Sequence, residues 1–131
     1  MQETVNKIDI IIRSNEWFDF HVLSYDGRSL KIGGGIDLTY YHSLEIIFTD
    51  IFFVHGFFES WHSDTKDHVI FLPDKEQNRE LNKIYEIEKG YQIFILRTEN
   101  YKSDIYIAAK EIDFNENVVK YYREQTKNNE L

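Results

Sequence analysis

The chain contains no cysteine, and only one proline and one methionine among its 131 residues. Without cysteine, neither a disulfide framework nor a thiolate zinc site can form. Basic residues are also scarce, with 15 Lys and Arg against 23 Asp and Glu for a net charge of −8. Nucleic-acid binding needs clustered Lys and Arg on one face, so that class is disfavoured. No apolar run approaches the roughly 20 residues a membrane helix requires. The first residues lack a basic start, an apolar stretch and a small-residue cleavage site, so a cytosolic protein is expected.

The charge that is present is uneven. Residues 1–65 carry 10 acidic and 4 basic groups, and residues 66–131 carry 13 and 11. An acidic face, if the fold makes one, belongs to the N-terminal half, although ordinary solubility accounts for the same balance. Length and composition point to one domain spanning residues 1–131. Aromatics make up 16% of the chain, with 10 Phe and 9 Tyr, which suits a sheet or barrel interior filled by rings.

The organising stretch is residues 36–58, above all Leu44 to Val54, whose β-branched and aromatic content suits a pleated surface. Both parities are apolar, so a central strand covered on two faces is expected. Thr49-Asp50 reads either as a hairpin turn, with Phe48 beside Ile51, or as a bulge that turns Asp50 outward. The cost of burying an unpaired Asp favours the hairpin.

Around that centre, Ile8, Ile10 and Ile12 alternate, which reads as an opening strand over residues 5–12. Asp26-Gly27 between WFDFHVLSY and RSLKIGG predicts a two-residue hairpin pairing Leu23 with Leu30 and His21 with Ile32. Phe18 and Phe20 then run beside Gly33, Gly34 and Gly35, which leave room for the rings or let the strand bend. No Lys-Ser/Thr and no helix pattern follow those glycines, so they do not read as a phosphate loop. Residues 56–68 read as a loop, 69–72 as a short strand, and Asp74 as the cap of a helix over 75–85. Residues 84–89 fit helix and strand equally. Residues 91–98 and 104–114 form an antiparallel pair, Asn115 caps a helix over 116–125, and the last residues from 126 fray. The fold expected is α+β: a strongly curved, mostly antiparallel sheet or partial barrel of about seven or eight strands with one or two helices.

Two groups of residues invite a functional reading. His55, Glu59, His62, Asp64, Asp67 and His68 combine imidazole with carboxylate, the chemistry of metal binding or acid–base work. Their spacing matches no ligand pattern, and the plainer reading is a polar loop, so no metal, cofactor or catalytic residue is assigned. Phe57, Phe58, Glu59, Trp61 and Asp64 set aromatic anchors among charges, as protein interfaces do, and are the candidate partner-binding residues. The competing reading folds those rings back as a lid on the sheet. His21 and His42 read as satisfied core or boundary histidines.

The hairpin WFDFHVLSYDGRSLKI followed by HSLEIIFTDIFFVHG, with Leu44, Ile46 and Phe48 as an L-x-I-x-F motif, resembles small β-rich bacterial families. These are uncharacterised or of immunity-protein type, and the likeness covers roughly residues 17–56. It implies a bacterial, cytosolic, non-enzymatic binder that neutralises a toxin by protein contact, and it assigns no functional residue. The acidic balance fits a basic partner. The rival expectation is a small-molecule-binding or metal-dependent enzymatic barrel using His55, Glu59 and His62. A strand-rich chain can also pair sheet edges, which keeps a homodimer in view.

Overall fold

The computed structural model describes residues 1–57 and 59–122. A helix, α1 (Gln2–Arg13), is followed by five strands: β1 (Trp17–Tyr25), β2 (Ser29–Gly35), β3 (Tyr41–His42), β4 (Leu44–His55) and β5 (Ser60–Asp64). Next come β6 (Ile70–Phe71), helix α2 (Lys75–Tyr85), β7 (Gln92–Leu96), β8 (Ile105–Asn115) and β9 (Val119–Lys120). Seven strands form one antiparallel, strongly curled half-barrel in the order β5-β1-β2-β4-β8-β7-β6, and β3 pairs with β9 as a separate ribbon. The expected α+β architecture with a curved sheet is what forms.

β4 is the central strand, flanked by β2 and β8. Leu44, Ile46 and Phe48 are fully buried on the face that carries the larger core, the inner face. The opposite, outer face is covered further along the sheet, where Leu81 of α2 packs with Ile93, Ile95 and Ala108, and Phe53 joins them. Both faces of this strand therefore lie against protein, each over a different part of its length. The expected Thr49-Asp50 hairpin does not form. β4 runs straight through, Asp50 adopts a left-handed conformation at φ 57°, and the ladder to β8 slips between Ile51 and Phe53. The bulge is tolerated because Asp50 is not left unpaired: it lies half-exposed, and its carboxylate meets Arg28 Nε at 3.0 Å.

The opening segment is the second correction. Residues 5–12 are helical because Val5, Ile8 and Ile12 recur at three- and four-residue spacing and seal the inner core, while Ile10 stays 69% exposed. The expected terminal helix also fails among the described residues 116–122. Asn115 ends β8 instead of capping a helix, and Val119 pairs with His42. Its remaining part, residues 123–125, and the expected frayed end lie outside the described residues. Residues 56–68 are not all loop, since β5 pairs with β1 along its length. α2 forms over Lys75–Tyr85 with Asp74 accepting from the Gln77 N–H, and it stops at Glu86, which is left-handed.

In the first hairpin, Asp26 Oδ1 accepts from the N–H groups of both Arg28 and Ser29. That widens the turn beyond two residues and shifts the register, so that Tyr25 faces Leu30 and His21 faces Gly33. The glycines remain in the ladder, where Gly33 lies against Leu23 and Gly34 makes room for the rings of Phe18 and Phe20. A Cβ on Gly34 would sit 2.6 Å from Phe18 Cε2, closer than real Cβ contacts come.

Both ends of the half-barrel are capped by polar groups. At β5, Glu99 N–H donates to His62 O at 2.8 Å, and Asn100 Oδ1 accepts from His62 N–H. At the other end, Asp9 of α1 accepts from Val69 N–H at 2.8 Å and Ile70 N–H at 3.1 Å. A second copy pairing through these edges has to displace those contacts first. No helix among the described residues is long and apolar enough to cross a membrane.

Candidate functional site

β5 sorts the candidate partner-binding residues by parity. Trp61 and Ser63 turn inward, while Ser60, His62 and Asp64 turn outward. Trp61 is 3% exposed and stacks on Phe20 at 5.4 Å, so it is a core residue, as the lid reading had it. Phe57 is half-exposed and lies flat on Tyr101, ring centroids 3.6 Å apart. Glu59 is exposed, and Phe58 lies outside the described residues. Asp64 is clasped by Arg97, whose guanidinium also donates to the carbonyls of Asp64, Asp67 and His68. The Lys66 N–H and then Arg97 hold the Asp64 carboxyl below the usual range. Arg97 is thus a seam closing the half-barrel, and Asp64 serves that seam.

The six imidazole- and carboxylate-bearing candidates do not converge. His55 packs against Tyr85 and Tyr106, ring centroids 5.5 and 5.7 Å away, in a three-ring cluster, and its buried Nδ1 has no hydrogen-bond partner among the described residues. His68 Nδ1 pairs with Asp9 at 2.8 Å. His62 has Asp19 Oδ1 at 2.5 Å from one ring nitrogen and Glu99 Oε2 at 3.1 Å from the other. A histidine flanked this way offers no free nitrogen to a metal or to a reacting group. Among the described residues, no three His, Asp or Glu side chains are placed to hold a metal ion.

What gathers around His62 is a surface cleft of about 280 Å³ between β1, β5 and the loops at 36–39 and 99–101, lined in part by Asp19, Asp37, Ser60 and Asn100. Trp17 stands beside it, 43% exposed, its indole N–H donating to Ile36 O. Tyr101 reaches Ser60 O from the other side and carries Phe57 with it. Carboxylates beside partly exposed rings, with no Lys or Arg among the described residues lining the cleft, suit a cationic surface.

A second polar constellation lies on the outer face, and the residue pattern gave little sign of it. His21, Gly33, Glu45 and Asn115 form one row across β1, β2, β4 and β8. The β3–β9 ribbon lies against Gly35, with His42 Cα 3.4 Å from where its Cβ would be, an ordinary contact distance. His42 is 2% exposed; its Nε2 meets Glu45 Oε2 at 2.7 Å, and its Nδ1 hydrogen-bonds the Tyr121 hydroxyl. That hydroxyl also bonds His21 Nε2 at 2.8 Å, and Asn115 donates to Glu45 Oε1 at 3.1 Å. His21 and His42 are thus satisfied histidines, as expected. Burial raises the Glu45 pKa, but hydrogen bonds from His42 and Asn115 together with Lys31 outweigh it and leave the carboxyl lowered. Burial, then Glu45, raises the Tyr121 phenol, so it is a neutral hydroxyl and not a tyrosinate nucleophile.

Glu45 is visible in the sequence as one of two acids, with Asp50, inside an apolar run, three residues after His42. Tyr121 carried no signal, because its partners are 100 and 79 residues away. No family model, no curated protein and no solved structure matches this chain, so its likeness to known proteins assigns it to no family.

Proposed function

We propose that this chain is a non-enzymatic binding protein that takes the basic surface of another protein in the His62 cleft, in the manner of a bacterial immunity protein neutralising a toxin in the cytosol. The observation that carries the reading is the meeting of Asp19, Asp37 and Glu99 at one cleft beside Trp17, Phe57 and Tyr101. A net charge of −8 supports it by favouring fast, steered encounter with a cation-rich partner. The two carboxylates at the ring nitrogens of His62, and the failure of His55 and His62 to converge on one site, weigh against the enzymatic barrel.

The test is calorimetric titration with the product of the neighbouring reading frame, at low and at physiological salt. Complex formation that weakens about tenfold or more with salt, and again in the Asp37→Asn/Glu99→Gln double variant, is the expected result. No binding, or binding indifferent to both salt and the double variant, overturns the proposal.

A further inference from the structure

We propose that His68 is a covalent phosphoryl acceptor, its Nδ1 proton held by the buried Asp9 carboxylate and its Nε2 open to attack an acyl phosphate. Asp9 is 4% exposed, and its Oδ1 is fixed by the N–H groups of Val69 and Ile70 at 2.8 and 3.1 Å. The other oxygen, Oδ2, meets His68 Nδ1 at 2.8 Å. An ionised carboxylate only accepts, so Nδ1 carries the proton and the neutral ring keeps its lone pair on Nε2. The His68 side chain is 65% exposed, and its Nε2 has no partner among the described residues. The ring lines a surface cleft of about 580 Å³ together with Asn6, Ile10, Arg13 and Ser14.

No other histidine is presented in this way. His62 has a carboxylate at each ring nitrogen, His21 and His42 bond the Tyr121 hydroxyl, and the unpartnered Nδ1 of His55 is buried. A carboxylate that takes the Nδ1 proton also leaves more electron density at Nε2.

The surroundings narrow what such a nitrogen does. A metal asks for more ligands, and no three His, Asp or Glu side chains among the described residues are placed to hold one. A relay to a hydroxyl is absent, because Ser14 Oγ donates to Ile11 O at 2.7 Å. Accepting a phosphoryl group requires only the one atom. The group brings three acceptor oxygens into a cleft where Arg13 supplies positive charge. Asn6, whose Oδ1 accepts from Gln2, keeps its NH2 for a further acceptor.

The step balances without a metal or a general acid. The Nε2 lone pair attacks phosphorus, the N–P bond forms, and the P–O bond to the acyl group breaks to release a carboxylate. No proton leaves the ring. Positive charge grows on the imidazole as the bond forms, and Asp9 lies at the nitrogen that carries the proton.

Incubation of the full chain with acetyl phosphate at about pH 8, above the ordinary imidazole range, tests this by intact mass and peptide mapping. Acid-labile label is expected on His68, arriving about tenfold or more faster than at any other histidine. Asp9→Asn offers His68 Nδ1 a donor and moves the ring proton to Nε2. Labelling of His68 should then fall about tenfold or more while the rates at the other histidines hold. Imidazole nitrogen NMR shifts read the tautomer in the unsubstituted chain, where Nδ1–H is expected at His68. No label, label spread evenly over the histidines, or an undiminished rate in Asp9→Asn overturns the proposal. An Nε2–H tautomer at His68 in the unsubstituted chain overturns it as well.

Discussion

Replacing Asp9 by Ala is expected to destabilise the protein by about 3 kcal/mol or more, a large effect for one surface-helix residue. Asp9 is 4% exposed, on the face of α1 that meets the sheet. Its Oδ1 takes the N–H groups of Val69 and Ile70, and its Oδ2 meets His68 Nδ1 at 2.8 Å, with Arg13 at 3.7 Å. Truncation leaves two buried backbone donors with nothing to bond, each costing about 1–3 kcal/mol. It also uncovers the β6 end of the sheet. Asp9→Asn keeps an oxygen for the two N–H groups, and His68 can change tautomer to meet the new amide, so most of the stability should return. Urea unfolding of the two variants measures this. A loss below about 1 kcal/mol in Asp9→Ala, or equal losses in both, contradicts the assigned role.

The other large effect belongs to the centre of β4. Phe48 is fully buried between Leu30 of β2 and Ile112 of β8, and its ring meets Phe94 edge-on at 5.3 Å. Phe48→Ala is expected to cost about 3–5 kcal/mol, through lost transfer energy and a cavity that flanking strands cannot close. Against a total stability of about 5–15 kcal/mol that is a large share. Phe52 makes the comparison, with the same residue type four positions along the same strand. It sits at the ladder slip, 37% exposed, with Tyr91 beside it at 5.0 Å. Phe52→Ala should cost about 1 kcal/mol or less. Chemical denaturation of both variants reads the difference; similar losses would mean that β4 is not the covered strand described.

The central strand was legible because Leu44 to Val54 has a composition that helices avoid and apolar residues in both parities. The α2 cap and the β7–β8 pair were legible for equally local reasons: Asp74 three residues before Gln77, and two β-rich runs across a polar loop. α1 was misread because Ile8, Ile10 and Ile12 satisfy the two-residue period while Val5, Ile8 and Ile12 satisfy the helical one. Length decides between such readings, and α1 runs for 12 residues, from Gln2 onward. Asp50 was misread because its partner, Arg28, comes from another strand connection, 22 residues away. The same limit governs the site. Read as a loop, β5 hides the alternation that turns Trp61 inward and Asp64 outward, so the two fall into one candidate group. Asp19, Asp37 and Glu99 reach His62 or its cleft only through the tertiary fold, and no spacing announces them.

The most direct test of the binding surface is a hydrogen-exchange footprint of the protein with and without the neighbouring reading frame's product. The account predicts new protection at residues 36–39, 59–62 and 99–101, with α1 and α2 unchanged. Protection centred on either helix, with the His62 cleft exchanging as in the free protein, would contradict it.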